Sequence, residues 1–389
     1  MSTTGNIPLV QVAVTEDDVF VRSQRVADQP PPIVATGPIG WMRAHLFSSP
    51  MNAVLTVLII ALLLWVIPPL IRFLIIDATW SGSDRTACLG SEQGACWAFV
   101  WDRLSFFIYG SYPIPQRWRV DLFFAMLVFG SAWLLWLDAP KRALGAFYFF
   151  VVIPICAFVL LYGWPSIGLA TVDTSLWGGV LVTVVVTTVG MVASLPLGIL
   201  LALARRSSMP AVRLLATLFI EFVRGVPLIT VLFMASVMLP LFVPPAWSPD
   251  KLVRALTGVV LFASAYMAEV VRAGLLAIPP GQYDAARALG LRFWRMQRLI
   301  ILPQALRITI PNIVNSFIAL FKDTTLVFFV GIFDLLKTIE VARVDPKWAT
   351  PVTSATGYAF AAVFYFVLCF MMARYADNIE YRLSRSDRR

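Results

Sequence analysis

Two charged residues inside a long apolar run are the first feature of this sequence that suggests chemistry. Lys322 and Asp323 lie well inside a run that begins at Pro303. A charge placed in hydrocarbon costs several kcal/mol, so such a residue usually faces an aqueous cavity, binds a partner, or both. We therefore predict that at least one of the two contacts a substrate.

Helix geometry limits how these two residues share a ligand. Adjacent helix residues point about 100° apart, so both contact one ligand only if the helix is distorted; otherwise one of them serves structure. Asn315 and Ser316, one to two turns earlier, are in register to line the same cavity, and Thr324 follows directly. We include all of these in the predicted substrate path, together with Glu269 of the preceding apolar run.

Two further charge pairs have helical spacing. Glu221 and Arg224 are three residues apart near the start of the apolar run 215–243, its predicted cytoplasmic end, and Glu269 and Arg272 repeat the spacing in the next run. Residues three apart are neighbours on a helix surface, so opposite charges there neutralise each other. We interpret Glu221 with Arg224 as a structural ion pair, and extend that interpretation to Glu269 with Arg272.

The composition identifies the class of protein. Hydrophobic residues make up 59% of the 389 residues and charged residues 14%, and the mean hydropathy is +0.80. This is too apolar for a soluble globular protein and indicates an integral membrane protein. We attribute the net charge of +9 to arginine retained on the cytoplasmic side, and not to a nucleic-acid partner.

The elements that must position these residues are membrane-spanning helices. Eight apolar runs approach the length of about 20 residues that a bilayer requires, so both termini fall on one side, and the distribution of basic residues predicts that this side is cytoplasmic. The runs are 52–76, 121–137, 143–163, 178–204, 215–243, 253–277, 303–333 and 358–372. The predicted domains are a cytoplasmic arm (1–51), an amino-terminal transmembrane part (52–174), a transmembrane core (175–374) and a cytoplasmic tail (375–389).

The long loop 77–120 should face the periplasm in this topology. Disulfides persist in that compartment, so Cys88 and Cys96 are candidates for a bridge, and an unbridged pair is the alternative. The segment from Trp97 to Tyr109 has two charges among many aromatic and aliphatic residues. It suits an amphipathic helix on the outer membrane surface or, equally, a segment packed against the other helices.

A cytoplasmic loop, 279–303, contains the most specific pattern in the chain. Asp284, Ala285 and Ala286 favour a short helix with small side chains, and Gly290 is suited to end it in a left-handed conformation. Arginines then recur every three residues among aromatic and aliphatic ones. By composition alone, the loop is explained as well by an interfacial helix on lipid headgroups as by a docking element.

The spacing resembles the EAA loop of ATP-binding-cassette importer permeases, with Asp284 in place of the usual Glu. The match runs from Asp284-Ala285-Ala286 through Gly290 to Pro303. Residues on both sides are similar to the polar amino-acid branch of that family: Ala265, Tyr266, Glu269, Arg272, Ile278, Pro279, Gly281, Gln282, Gln304, Pro311, Asn312 and the stretch from Lys322 to Leu326. The resemblance is strong from about residue 175 onward, and the larger amino-terminal part is reminiscent of the general L-amino-acid importer.

The resemblance implies an all-α polytopic membrane protein of the bacterial inner membrane with about eight transmembrane helices. It would consist of a type I importer permease core of five helices with a three-helix amino-terminal extension. Asp284 to Gly290 would be the coupling helix that docks on an ATPase. The implied partners are two ATPase subunits, a second permease that is a related chain or another copy, a periplasmic amino-acid-binding protein, and membrane lipid.

Missing motifs also restrict the function. The sequence has no GxxxxGK[ST] phosphate loop, so ATP and magnesium are expected on the partner ATPase and no cofactor is expected on this chain. His45 and four scattered cysteines form no metal-ligand pattern, and we predict no enzymatic activity. Two alternatives to an importer subunit are a stand-alone ion-gradient-driven carrier or channel, with Lys322 and Asp323 as ion-coupling groups, and a membrane scaffold that transports nothing.

Overall fold

The computed structural model describes residues 37–90, 93–136, 139–244 and 247–386, and these residues fold into helices. Within that part of the chain, seven helical segments are long and apolar enough to cross a membrane. They are Pro50–Ile76, Ile114–Leu135, Ala143–Tyr162, Val180–Arg205, Lys251–Ala277, Phe293–Val330 and Pro351–Arg382. An all-helical membrane fold is therefore confirmed, and the predicted count of about eight is reached if one bent helix pair is also a span.

That bent pair corrects the prediction of a continuous span over 215–243. The structure contains two segments, Pro210–Gly225 and Leu228–Phe242, that meet at an angle of 107°. Val226, which precedes Pro227, is extended, with φ −113° and ψ 136°. Proline excludes the helical conformation at the residue before it and lacks an N–H donor, so the helix stops there although the sequence remains apolar.

The first of two compact units extends to Leu70. It contains helix α1 (Gly37–His45) and most of helix α2 (Pro50–Ile71). Residues 1–36 of the predicted cytoplasmic arm lie outside the described residues. The last residues of that arm, which was predicted to end at residue 51, are helical.

The second unit begins at Ile71 and contains the remaining helices. Short π-helical turns join α5 to α6, α9 to α10 and α13 to α14, so each of these pairs is one bent or continuous segment. The helices are α3 (Trp97–Tyr109), α4 (Trp118–Leu135), α5 (Arg142–Phe147), α6 (Ile153–Ala157), α7 (Val180–Arg205), α8 (Pro210–Gly225), α9 (Leu228–Phe233), α10 (Leu239–Phe242), α11 (Lys251–Ala277), α12 (Pro280–Ala288), α13 (Phe293–Met296), α14 (Leu302–Asp323), α15 (Leu335–Ala342) and α16 (Pro351–Ser386).

Helix α11 lies at the centre of this unit and packs against α7 and α14. Two glycines permit the close approach. A Cβ on Gly198 of α7 would lie 2.7 Å from the Met267 side chain, and one on Gly274 of α11 would lie 2.6 Å from the Ala305 carbonyl oxygen. Close packing of this kind requires that no side chain separate the helices. These three helices form the frame that positions the candidate site.

The last helix is longer than the predicted span 358–372. Helix α16 is continuous from Pro351 to Ser386 and therefore runs through most of the predicted tail, whose residues 387–389 lie outside the described residues. The sequence becomes polar after Met372, which marks the end of the apolar part of the helix and not the end of the helix itself.

Helix α3 has the predicted bounds and packs on the protein. Phe99 and Phe107 are fully buried with Trp348 and with Leu335 of α15. Trp348 donates a hydrogen bond from Nε1 to the Asp102 carboxylate at 2.7 Å. Of the two predicted settings for this helix, the structure therefore has the one packed against the other helices.

Candidate functional site

A cavity of about 250 Å³ lies between α7, α11 and α14. Its walls are mostly apolar, from side chains that include Phe262, Met267, Phe317 and Leu320. The polar groups that line it are Ser194, Tyr266, Ser316 and Asp323. A small, largely apolar cavity with a few polar groups is the usual form of a small-molecule site.

Asp323 supplies the only carboxylate among the residues that line this cavity. It is half-buried at the carboxyl end of α14, and its side chain takes part in no ion pair or hydrogen bond within the described part of the chain. A partly buried carboxylate without a partner is costly, and a ligand ammonium would neutralise it.

Lys322 points elsewhere. Its side chain is exposed and does not line the cavity. The helix remains regular through Asp323, and Thr325 donates from Oγ1 to the Lys322 carbonyl oxygen at 2.9 Å. The two adjacent side chains therefore diverge as helix geometry requires, and the structure brings only Asp323 to the cavity.

Of the other residues predicted to line the substrate path on α14, some line the cavity and others do not. Ser316 lines the cavity and donates from Oγ to the Asn312 carbonyl oxygen at 2.9 Å. Asn315 is exposed, and Thr324 is buried with its hydroxyl bonded to the Phe321 carbonyl oxygen at 2.8 Å. The structure therefore brings Ser316 to this cavity and places Asn315 and Thr324 elsewhere, because consecutive residues on a helix face different directions.

Ser194 was missed by sequence reasoning. It is fully buried in α7 and lines the cavity, and its Oγ has no hydrogen-bond partner within the described residues. Buried hydroxyls are normally satisfied, most often by a carbonyl of the preceding turn in a helix. One serine in a run of small and apolar residues carries no sequence signal that would distinguish it.

Five charged residues from three helices form a second feature, which we call the ion cluster: Arg205 of α7, Glu221 and Arg224 of α8, and Glu269 and Arg272 of α11. The predicted pairs are both present, at 3.9 Å for Arg224 with Glu221 and 2.7 Å for Arg272 with Glu269. Arg205 joins them, because it pairs with Glu221 at 2.7 Å and also with Glu269. Glu269 therefore contacts three arginines and belongs to the ion cluster, not to the cavity wall.

The role of Arg205 was also missed. It is the last residue of α7 and follows a long apolar run, where an arginine is explained by its position at the membrane surface. Only the folded chain shows that α8 and α11 bring two carboxylates to it.

Helix α12 contains the residues predicted to couple to an ATPase. It begins at Pro280, so Asp284 lies in its second turn. Ala286 is buried, whereas Asp284 and Ala285 are exposed. Gly290 follows the helix with φ +70°, and no atom lies within 4 Å of the position that its Cβ would occupy. The result is a short helix with an exposed small-residue face and a left-handed end.

Side-chain contacts join α12 to the ends of α7 and α11. Arg206 donates from Nη1 to the Leu275 carbonyl oxygen at 3.0 Å and to the Tyr283 hydroxyl at 3.1 Å. The Tyr283 hydroxyl donates to the same Leu275 oxygen at 3.1 Å. A larger cavity of about 420 Å³ lies beside these contacts, between α12 and the helix ends.

The structure joins Cys88 and Cys96 in a disulfide, with Cα atoms 5.8 Å apart. The bond closes the turn before α3, and the Cys96 backbone N–H donates to Thr356 Oγ1 of α16 at 2.8 Å. It therefore holds the loop against the last helix. Among the described residues, no group of three or more histidine, cysteine, aspartate or glutamate side chains is placed to hold a metal ion.

Comparison with known proteins identifies relatives along most of the chain. Residues 194–385 match the family described as "Binding-protein-dependent transport system inner membrane component". The chain is 49% identical over 344 residues to the "Inner membrane amino-acid ABC transporter permease protein YhdY" of Escherichia coli K12, covering 88% of this chain and 92% of that one. It is 40% identical over 438 residues to the "Glutamate/glutamine/aspartate/asparagine transport system permease protein BztC" of Rhodobacter capsulatus, covering 96% and 100%.

A solved structure described as "Crystal structure of an amino acid ABC transporter with histidines" is 28% identical and covers 52% of this chain and 92% of its own, with a TM-score of 0.46. The identity and coverage of the two permeases decide the family. They also favour the importer component over a stand-alone carrier or channel. This chain belongs to the family of binding-protein-dependent transport system inner membrane components, the permeases of ATP-binding-cassette importers.

Proposed function

We propose that this chain forms the membrane path for L-amino acids in such an importer, and that the cavity between α7, α11 and α14 receives the cargo. The observation that carries the proposal is Asp323, a carboxylate that has no ion-pair or hydrogen-bond partner among the described residues and lines a largely apolar cavity. It would bind the α-ammonium that all amino acids share. The hydroxyls of Ser194 and Ser316 would contact the remaining polar atoms of the cargo.

The relatives support amino acids as the class of cargo. The names of the two permeases at 49% and 40% identity describe amino-acid transport. A site that binds the ammonium leaves the choice of side chain to the apolar wall, so we propose acceptance of several amino acids and assign no single one.

We further propose that the end carrying α12 is cytoplasmic and that α3 lies on the periplasmic side. The basic residues of the α12 loop support this orientation, as does the disulfide beside α3, which requires an oxidising compartment. Two ATPase subunits would then dock on the exposed face of α12 and on its counterpart in a second permease subunit, which we propose is a related but different chain. A binding protein would deliver cargo at the α3 side.

ATP and magnesium belong to the ATPase in this proposal. The sequence contains no phosphate loop, so this chain would transmit motion and not hydrolyse nucleotide. The exposed Asp284, Ala285 and Gly290 would form the docking surface, with Ala286 holding α12 to the protein.

The cargo site is tested by ATP-driven uptake of labelled L-amino acids into membrane vesicles that contain the complete transporter. Replacing Asp323→Asn removes a charge-assisted hydrogen bond worth roughly 1.5–3 kcal/mol, so we expect uptake at low substrate concentration to fall about 10- to 100-fold. Lys322→Gln is the matched control, since it also removes one charge, and its exposed side chain should matter by less than about threefold. Equal losses in the two variants would refute the assignment of Asp323.

The partners are tested by gentle affinity purification of the chain from its native membrane, followed by mass spectrometry. Gly290→Trp places a large side chain on the proposed docking surface and should deplete the ATPase. Gly168→Trp is the control, because Gly168 also has a positive φ and open space around it. Recovery of the wild-type chain alone, or only with copies of itself, would contradict the proposed assembly.

A further inference from the structure

The ion cluster lies between the cavity and α12. Along α11, Tyr266 lines the cavity, Glu269 follows three residues later, Arg272 three residues after that, and the Leu275 carbonyl contacts Tyr283 of α12. At 1.5 Å per residue, each step is about 4.5 Å along the helix axis. The ion cluster is therefore the polar layer through which movement of α12 would reach the cavity.

The contacts of the ion cluster cross three helices. Glu269 is the centre, with a side chain that is 17% exposed and paired with Arg205, Arg224 and Arg272. Glu221 of α8 accepts from Arg205 as well. If the ends of α7, α8 and α11 separated, at least one of these pairs would have to break.

Arg224 connects the ion cluster to the cavity wall. Its pairs are the longest in the group, at 3.7 Å to Glu269 and 3.9 Å to Glu221, and its guanidinium lies over the Tyr266 ring at 5.8 Å from the centroid. A guanidinium over an aromatic face is attractive and fixes the ring. Arg224 is also the residue before Gly225, at the 107° bend between α8 and α9.

Two adjacent arginines connect the ion cluster to α12. Arg205 pairs with Glu269 and Glu221, while Arg206 bonds to Tyr283 and to the Leu275 carbonyl. The two arginines are consecutive in the chain. A displacement of Tyr283 that moves Arg206 would therefore also move Arg205.

We propose that the ion cluster is a latch that holds Tyr266 across the α12 side of the cavity. Movement of α12 would act through Arg206 and Arg205 to break the contacts of Glu269, and Arg224 and Tyr266 would then move away from the cavity. These are positioning residues, which control access and do not contact cargo. The inference rests on the proposed function, because it requires that the cavity holds cargo and that α12 is the moving element.

Access to the cavity from the α12 side measures the latch directly. We would place a cysteine at the cavity with Ser316→Cys, after replacing the free cysteines Cys156 and Cys369 with alanine. The complete transporter would be labelled with a membrane-impermeant maleimide in inside-out vesicles without nucleotide. Glu269→Gln should label roughly tenfold faster than the parent, as expected for release of a closed state.

A second pair of variants keeps the test valid if Glu269→Gln folds poorly. Arg205→Gln should also accelerate labelling, whereas Arg205→Lys retains the charge and should label slowly, which a merely structural role would not predict. Glu380→Gln is the matched control, since Glu380 is exposed on α16 outside the ion cluster. Parental labelling rates in both Glu269→Gln and Arg205→Gln would overturn the latch.

Cargo protection separates this outcome from failure of the proposed function. A mixture of the common L-amino acids should slow labelling of the cysteine at position 316 in the parent. Protection without acceleration in the latch variants would remove the latch and leave the cargo site in place. Acceleration without protection would mean that the cavity opens but does not bind amino acids.

Discussion

The two ends of the second unit are built differently. At the α3 end, Phe99, Phe107 and Trp348 are fully buried, a disulfide closes the preceding turn, and Arg103 pairs with Asp345 at 2.6 Å. At the α12 end, side chains are more exposed: Asp284 is 69% and Glu221 53% exposed. The α3 end is closed by a disulfide and a buried aromatic cluster, whereas the α12 end combines a buried aliphatic core with the charge pairs of the ion cluster.

This difference indicates which end is free to move. Packed aromatic clusters have one arrangement, and separating them exposes apolar area at about 25 cal/mol per Å². Ion pairs at a hydrated surface contribute little and are exchanged for water at little cost. We therefore expect substitutions at the α3 end to change stability and substitutions at the α12 end to change coupling with little change in stability.

The largest expected effect on stability is at Asp334, which caps α15 at the α3 end. Its side chain is fully buried and accepts from the backbone N–H groups of Leu336 and Lys337 at 3.2 and 3.0 Å. Burial raises its pKa from 3.8 to about 6, although the two N–H donors oppose the shift. The stability that this group contributes is therefore fully present below about pH 3.8 and is lost as the pH rises to about 6, by roughly 3 kcal/mol.

The comparison of Asp334→Asn with the wild type isolates this group. Thermal unfolding of both proteins in detergent between pH 4 and 7.5 should show the stability difference shifting in favour of the variant as pH rises. The pKa of Asp102 shifts in the opposite direction. Burial raises it, but hydrogen bonds from Lys347 and Trp348 outweigh burial and lower it. The contribution of Asp102 should be present above about pH 4 and be lost below it. A pH-independent difference for Asp334→Asn would contradict its protonation at acidic pH.

Removal of the disulfide is the next largest effect expected at the α3 end. Cys88 and Cys96 are eight residues apart, and a loop of that length should contribute about 2–3 kcal/mol through the unfolded state. The Cys88→Ser/Cys96→Ser variant should therefore unfold at lower temperature and lose hydrogen-exchange protection in α3. Serine at the free cysteines Cys156 and Cys369 is the control. An unchanged melting temperature would show that packing of α3 alone holds this end.

Smaller effects are expected at the α12 end, beginning with Gly290. Alanine at φ +70° costs about 1–2 kcal/mol in local conformation, although the space around the site is open. Gly281 also has open space but no positive φ, so Gly281→Ala should be neutral or slightly stabilising. Global melting temperatures should move little in either variant, while ATPase stimulation in the assembled transporter should fall only for Gly290→Ala. Equal effects would mean that the left-handed end is not what the ATPase recognises.

The sequence predicted local elements well where one residue type controls the backbone. Gly290 was expected in a left-handed conformation and has it, and the bounds of α3 were also correct. Only the continuity of the span at 215–243 was wrong, because the sequence stays apolar on both sides of Val226 and Pro227 and composition hides a bend that backbone sterics impose.

The candidate site was only partly predictable, because its geometry depends on contacts between distant helices. Spacing along one helix correctly paired Glu269 with Arg272, but Arg205 lies 64 residues away from Glu269. Asp323 was identified by its charge in an apolar run, and the same rule also selected Lys322, which is exposed. A rule based on charge alone cannot choose between two adjacent charged residues. The orientation of the helix about its axis decides which of them faces the cavity.

The smallest effect on stability is expected for the ion pair formed by Asp284 and Arg287 on α12. Their side chains are 69% and 68% exposed and their charged atoms are 3.4 Å apart, so their coupling free energy in a double-mutant cycle should be within about 0.5 kcal/mol. The cycle would use thermal unfolding of Asp284→Asn, Arg287→Gln and the double variant. A coupling above about 1 kcal/mol would mean that α12 is stabilised internally like the α3 end. A small coupling together with reduced ATPase stimulation in Asp284→Asn would instead assign this surface to a partner, because the carboxylate would then matter only where a second protein contacts it.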